Sequence, residues 1–206
     1  MFDSLSIGVL ALQGDFHLHL QTLSNLGVEA IPVRKGEQLQ GLDGLVFPGG
    51  ESSTMLKLME DTTMEADLIR FSQEGGTLFG TCAGAILLAA EVEPKQRSLG
   101  LIDIAVSRNA YGRQIDSFET DLPWMDGEPL RAVFIRAPKI GTVGPSVRVL
   151  LKHGGEPVLV ETEDHGVLVA TFHPEATADR RLHQLFLSHV QKRQTRHRPK
   201  TSVVSS

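Results

Sequence analysis

Apolar residues recur along the chain in two rhythms that alternate. Ile7-Gly8-Val9-Leu10-Ala11-Leu12 is apolar almost throughout, as expected of a parallel strand covered on both faces. Gln13-Gly14-Asp15 turns the chain, and Phe16, Leu20, Leu23 and Leu26 then recur at helical spacing until Gly27 supplies a stop. Val28 to Val33 and Gly44 to Phe47 read as the next two strands, and the latter runs directly into Pro48-Gly49-Gly50-Glu51-Ser52-Ser53-Thr54 and the helical run Met55 to Met59. A helix over Met64 to Gln73 leads through Gly75-Gly76 to a short strand, Thr77 to Phe79, and a helix over Ala83 to Ala90. This alternation predicts an α/β fold, a doubly wound, mostly parallel or mixed sheet flanked by helices, with ligands bound outside the carboxyl ends of the strands.

Beyond Glu93-Pro94 the pattern changes to short strands with few helices: Leu101 to Val106, Ser117 to Thr120, Arg131 to Ile135, Val147 to Leu151, Pro157 to Glu161 and Val167 to Phe172. They are expected to complete the far side of the sheet and add a small antiparallel section. Asp179 to Val190 is the closing helix, with Leu182, Leu185, Phe186 and Val190 on one face. Residues 1–190 are thus expected to form one domain. Residues 191–206, polar and without apolar periodicity, are expected to be a disordered tail.

Composition narrows the class. A chain of 206 residues with 41% hydrophobic and 22% charged can bury a full core as a single soluble domain. Five of its basic residues (Lys192, Arg193, Arg196, Arg198 and Lys200) lie in the tail without an acid, so the preceding body carries −10 against a net −5 for the whole chain. So acidic a body argues against nucleic-acid binding. A single cysteine excludes an internal disulfide and any multi-cysteine zinc site, and no metal is expected. The N-terminal segment has no basic region and no long apolar run, so neither signal peptide nor membrane span is expected, and the location is expected to be cytoplasmic.

That cysteine stands in Gly80-Thr81-Cys82-Ala83-Gly84, between a strand and a helix. Glycines two residues to either side are the pattern of a nucleophile elbow, with cysteine in place of serine. The following helix aims N–H groups and partial positive charge at the sulfur, which favours a thiolate. Taken alone, the pattern also suits a small buried structural thiol. The strand Val167 to Phe172 ends at His173-Pro174-Glu175. Such a histidine can take the thiol proton while Glu175 fixes its tautomer, although a lone His-Pro-Glu is also an ordinary turn. Elbow, turn and His-Pro-Glu in one α/β chain favour the catalytic reading of Cys82, His173 and Glu175. The remaining histidines show no usable partner spacing; His17 and His19, two apart on a helix, cannot share a metal.

At this point the chain resembles the class I, or triad, glutamine amidotransferases, whose fold is flavodoxin-like. Within them it is similar to the glutaminase subunits that serve pyridoxal 5'-phosphate synthases. The resemblance rests on Gly8 to Gly14, Pro48 to Ser52, Gly80 to Gly84, Arg108-Asn109-Ala110-Tyr111-Gly112-Arg113-Gln114, Phe134-Ile135-Arg136-Ala137-Pro138 and Phe172 to Glu175. The elbow and the His-Pro-Glu segment are shared by the whole class. The Arg108 and Phe134 segments narrow it. The resemblance implies Cys82 as nucleophile, His173 as base and Glu175 as its orienter, with glutamine contacts at Gly50, Glu51, Ser52, Arg108, Ile135 and Arg136. It departs at Ser53, where threonine is usual, and in the basic tail.

Residues and resemblance imply one reaction. Cys82 attacks the side-chain amide of L-glutamine, N–H groups of the Gly49-Gly50 turn and of Ala83 hold the oxyanion, and ammonia leaves for a separate pyridoxal 5'-phosphate synthase subunit. No cofactor is implied. Arg108 and Arg136 are candidates to neutralise the α-carboxylate, unless both are surface ion-pair residues. Glycine tolerates two peptide orientations, so the Gly49-Gly50 turn is also expected to gate the site until that partner docks. The rival readings are a triad glutaminase serving another synthase, a cysteine hydrolase or redox sensor of similar architecture, and a silent binding module.

Overall fold

The computed structural model describes residue 2 and residues 4–108 and 117–197; Asn109 to Gln114 and the chain after His197 lie outside the described residues. The apolar runs become the centre of a seven-stranded sheet in the order β10-β11-β12-β4-β3-β1-β2. Its strands are β1 (Ile7–Leu10), β2 (Ala30–Val33), β3 (Gly44–Phe47), β4 (Thr77–Thr81), β10 (Val147–His153), β11 (Glu156–Thr162) and β12 (Val167–Ala170). From β2 to β12 every pairing is parallel, and β11 and β10 extend the sheet antiparallel. A mixed sheet joins β5 (Ala89–Glu93), β6 (Ile102–Ser107) and β9 (Lys139–Val143), and β7 (Phe118–Leu122) pairs with β8 (Leu130–Phe134).

Alternation along the central strands divides the core in two, because successive side chains point to opposite faces. Leu45, Phe47, Leu78, Val167 and Val169 face one cluster. It includes side chains of α2 (Ser52–Met59), α3 (Met64–Gln73) and α4 (Ala83–Leu88). Val46, Phe79, Leu168 and Ala170 face the other. There they meet Leu23 of α1 (Phe16–Asn25) and Leu182 and Phe186 of α5 (Arg181–His197).

Three expectations need correction, and one strand was not expected. The helix after the elbow stops at Leu88, and Ala89–Glu93 turns into a strand because pairing with β6 satisfies backbone that the alanines would tolerate in either state. Lys139–Val143, masked in sequence by Pro138 and Gly141, is a strand because β6 pairs with it. The β7–β8 hairpin is offset from the expected spans, running Phe118–Leu122 and Leu130–Phe134. The closing helix does not fray at Gln191 but runs to His197. Lys, Arg and Gln suit a helix, and Arg193 ties this last stretch down by donating to Gly75 O at 3.3 Å and to the Asp164 carboxylate.

Candidate active site

Cys82 joins β4 to α4 with φ 47° and ψ −102°. A side chain at positive φ costs roughly 1–3 kcal/mol, so the conformation persists only where the surroundings enforce it. Here the Cys82 N–H donates to Ala170 O and the Cys82 carbonyl accepts from Ala85 N–H, both at 3.0 Å. A Cβ at Gly84 would lie 2.2 Å from Phe47 O, so only glycine lets α4 settle against β3. The sulfur ends 3.8 Å from Ile135 O.

The other half of the site follows β12. From Ala170 the chain passes through buried Phe172 to His173, whose N–H donates to Val133 O at 2.8 Å. A single 3₁₀ turn, Pro174–Ala176, folds Glu175 back under the ring, where Oε1 accepts from His173 Nδ1 at 2.8 Å. Because a carboxylate only accepts, this bond sets the tautomer and leaves Nε2 for the sulfur. A Cβ at Gly49 would lie 2.3 Å from His173 Cε1, so the glycine turn can lie flat over the imidazole.

Charge completes the arrangement. Burial alone pushes His173 down, but hydrogen bonds to Cys82 and Glu175, and their charges, outweigh it and raise its pKa to about 10. Burial likewise pushes the Glu175 carboxyl up. The charge of His19 and the hydrogen bond from His173 nevertheless hold it well below the usual carboxylate range.

In front of the sulfur lies a cleft of about 230 Å³, lined by Gln13, Gly14, Asp15, Gly50, Glu51, Ser52, Cys82, Ile86, Arg108, Ile135, Arg136 and His173. The cleft therefore brings together Gly50, Glu51, Ser52, Arg108, Ile135 and Arg136, the six expected glutamine contacts, but is not lined by the expected oxyanion residues Gly49 and Ala83. Gly49 sits behind, against His173, and Ala83 is buried at the first turn of α4. Glu51 caps α2, accepting from Ser53 N–H at 3.3 Å and from Ser53 Oγ–H at 2.9 Å, so serine serves where threonine is usual. Arg108 is partly committed: it donates to Gln96 Oε1 and lies 3.6 Å from Glu51 Oε1. Arg136 lies at φ 44° on the rim. Larger depressions occur elsewhere, one of about 470 Å³ beside Asp67 and Arg70, but it is lined by neither cysteine nor histidine.

A family model described as the SNO glutamine amidotransferase family matches residues 9–192. The chain belongs to that family. A relative from Koribacter versatilis (strain Ellin345), described as pyridoxal 5'-phosphate synthase subunit PdxT, is 54% identical over 191 residues, covering 90% of this chain and 96% of the relative. One of the same description from Thermotoga neapolitana is 47% identical over 189 residues, 90% of this chain and all of the relative. A crystal structure of a glutamine amidotransferase superposes with a TM-score of 0.84 at 48% identity, covering 90% of this chain and 98% of that one. The structure of PurLQS from Thermotoga maritima, at TM-score 0.66 and 16% identity over 93% of this chain and 97% of that one, shares the fold alone.

The family motifs do not point to every residue at the site. Gln13 stands in a quoted motif without a role, yet its Oε1 accepts from Glu51 N–H at 2.8 Å and so fixes the glycine turn. Gln96 lies in no motif and bridges Ser52 and Arg108, donating to Ser52 Oγ at 3.1 Å. His19 and His183 are buried behind Glu175, where sequence spacing shows no link between them.

Proposed function

We propose that this protein is the glutaminase subunit of a pyridoxal 5'-phosphate synthase, hydrolysing L-glutamine to glutamate and ammonia and passing the ammonia to a synthase subunit. The observation that carries the reading is a lone cysteine at a strained elbow, opening on a cleft beside a histidine that a buried glutamate holds at 2.8 Å. The family and the description of its relatives support the assignment to this synthase.

In the reacting form His173 carries the proton, as its pKa raised to about 10 favours, and Cys82 attacks as the thiolate. The thiolate adds to the amide carbon, and the oxyanion forms against N–H groups of the Gly49-Gly50 turn and Ala83. Each such donor lowers the barrier by roughly 2.7–4 kcal/mol. His173 then protonates the departing nitrogen from Nε2, and ammonia leaves. Neutral for that interval, it draws a proton from water as the water attacks the glutamyl thioester, and glutamate and the ion pair are restored. Glu51, Ser52, Arg108, Ile135 and Arg136 surround the remainder of the glutamine, with the arginines toward its α-carboxylate. No helix among the described residues is long and apolar enough to cross a membrane, and we place the protein in the cytoplasm with the enzyme it serves.

Ammonia that escapes becomes ammonium and loses its nucleophilicity, so hydrolysis is best coupled to the presence of the synthase. The Gly49-Gly50 turn supplies the means, because a glycine peptide has two accessible orientations. Moving it from about 1% to 99% competent takes about 5.5 kcal/mol of differential binding. Glutamine hydrolysis measured with and without the synthase subunit tests both halves: added synthase raises kcat more than it lowers KM. A wild-type chain with no glutaminase activity in the complex overturns the function, and full activity without the partner overturns the gate.

A further inference from the structure

We propose that His19, backed by His183, is a positioning residue: it occupies the Glu175 oxygen that His173 leaves free and extends Cys82, His173 and Glu175 into one buried string of side chains. The inference rests on the glutaminase reading for its reaction, and on contacts alone for its geometry.

His19 lies on α1 with its ring fully buried, while His17, two residues earlier, is exposed. Its Nε2 is 3.3 Å from Glu175 Oε2 and 3.2 Å from Thr81 Oγ1 of β4. Its Nδ1 is 2.9 Å from Nε2 of His183 on α5, itself fully buried. Phe79 stands edge-on to both imidazoles, with ring centroids 6.2 Å from His19 and 5.6 Å from His183, and keeps the pocket apolar. Elements distant in the chain thus converge behind a single carboxylate.

Proton placement follows from the donor inventory. Glu175 only accepts, so the 3.3 Å contact of Oε2 with His19 Nε2 is attractive when that nitrogen carries a hydrogen, which the Thr81 hydroxyl can accept in part. Burial first, and then the charge of His19, hold the pKa of His183 down at about 3, so its ring is neutral. A neutral imidazole can accept from His19 Nδ1 or donate to it according to tautomer, and so steadies the ring without adding charge. Oε2 has no well-aligned hydrogen bond among the described residues, which leaves the His19 contact as its restraint. Without His19, Oε2 would lose its one close ring N–H and stay buried. Glu175 would then turn about its terminal bond or take up a proton, and either change loosens its hold on His173.

The test measures hydrolysis on the full chain with the synthase subunit, and alkylation by iodoacetamide through the mass of this chain, whose single cysteine makes that reading specific to Cys82. His19→Leu removes the donor. In His19→Gln the amide nitrogen reaches close to the position of Nε2, and in His19→Asn it falls short. In His19→Leu and His19→Asn we expect kcat for glutamine hydrolysis to fall about tenfold or more with KM within about twofold. Their alkylation profile against pH should move toward alkali by about half a unit or more. His19→Gln should restore most of both. A folded His19→Leu with wild-type kcat and profile overturns the proposal. So do His19→Asn and His19→Gln that behave alike, and that comparison decides the matter if His19→Leu does not fold. Were the wild type to lack glutaminase activity while the alkylation profiles still separated as expected, the proposed function would fail and the positioning role would stand.

Discussion

Strand β12 runs between two buried carboxylate–imidazole clusters made of nearly the same parts. Past its C-terminal end, Glu175 holds His173 and meets His19. Near its start, Glu161, paired in register with Leu168, meets His165 Nδ1 at 3.3 Å and His189 Nε2 at 3.1 Å, and accepts from the Arg148 guanidinium. Helix α5 contributes a histidine to each, His183 to the first and His189 to the other. Yet His173 is raised to about 10 whereas His189 is lowered to about 4. Burial opposes the charged form in both. His173 faces two acidic groups that raise it, Cys82 and Glu175. His189 faces one, Glu161, and the positive charges of His165, Lys192 and Arg148 offset it. A buried carboxylate beside a histidine is therefore not enough to fit it for acid catalysis; in our proposal the neighbouring Cys82 and the opening to the cleft do so for His173. The three ligand atoms of Glu161, His165 and His189 lie within 4.8 Å of one another, as do those of Asp15, His173 and Glu175. Glu161 and Glu175 are each already engaged by their own histidines.

The sharpest break in the comparison comes from the proposed nucleophile. Cys82→Ala should abolish ammonia release from glutamine in the presence of the synthase subunit while circular dichroism and melting stay near wild type, since alanine suits a helix start. His173→Asn should fall to nearly the same residual rate because base and nucleophile act as a unit, and Glu175→Gln should lose somewhat less, roughly a hundredfold or more in kcat. Glu161→Gln, at the matching position of the other cluster, should leave kcat and KM unchanged. It should cost about 1–3 kcal/mol of stability, because His189 and Arg148 lose a charged partner and Arg148 is half in solvent. Urea unfolding and a glutaminase assay on the same sample separate the two effects.

A smaller effect is the dependence on pH. His173 has a folded pKa above its ordinary 6.5, so the stability it adds is fully present below that value and is lost as the pH climbs toward about 10. Glu175 is held below its ordinary 4.5, so its contribution is present above that value and lost as the pH falls. The stability difference between wild type and His173→Asn should accordingly shrink across the alkaline window, and Glu161→Gln should show no such slope there. The least effect is expected at the C-terminus. Truncation after Val190 should keep glutaminase activity but lower the melting temperature by a few degrees, because Arg193 no longer ties α5 to Gly75 and Asp164. Unchanged melting would show that the last turns of α5 contribute nothing to the fold.

Much of this was determined locally, and local patterns can be read from sequence. Two faces of helices cover the central strands, so Ile7 to Leu10 and Val167 to Ala170 must be apolar on both sides, and their runs are visible. The elbow is visible because its turn leaves room only for glycine at Gly84, and His173 and Glu175 because one turn joins them. What pairing decides stayed hidden. Ala89–Glu93 and Lys139–Val143 are strands only because β6 lies beside them. Two alanines open the former and suit a helix equally well, while Pro138 and Gly141 disguise the latter as a turn. The same holds for the site. Gln13, Gln96, His19 and His183 take their places through contacts between elements far apart in the chain, and no spacing encodes such contacts. The sequence by itself determined which residues could do the chemistry. Only the tertiary structure decided their protonation, because the charge a buried imidazole holds depends on the number and sign of its neighbours, and folding alone assembles those neighbours.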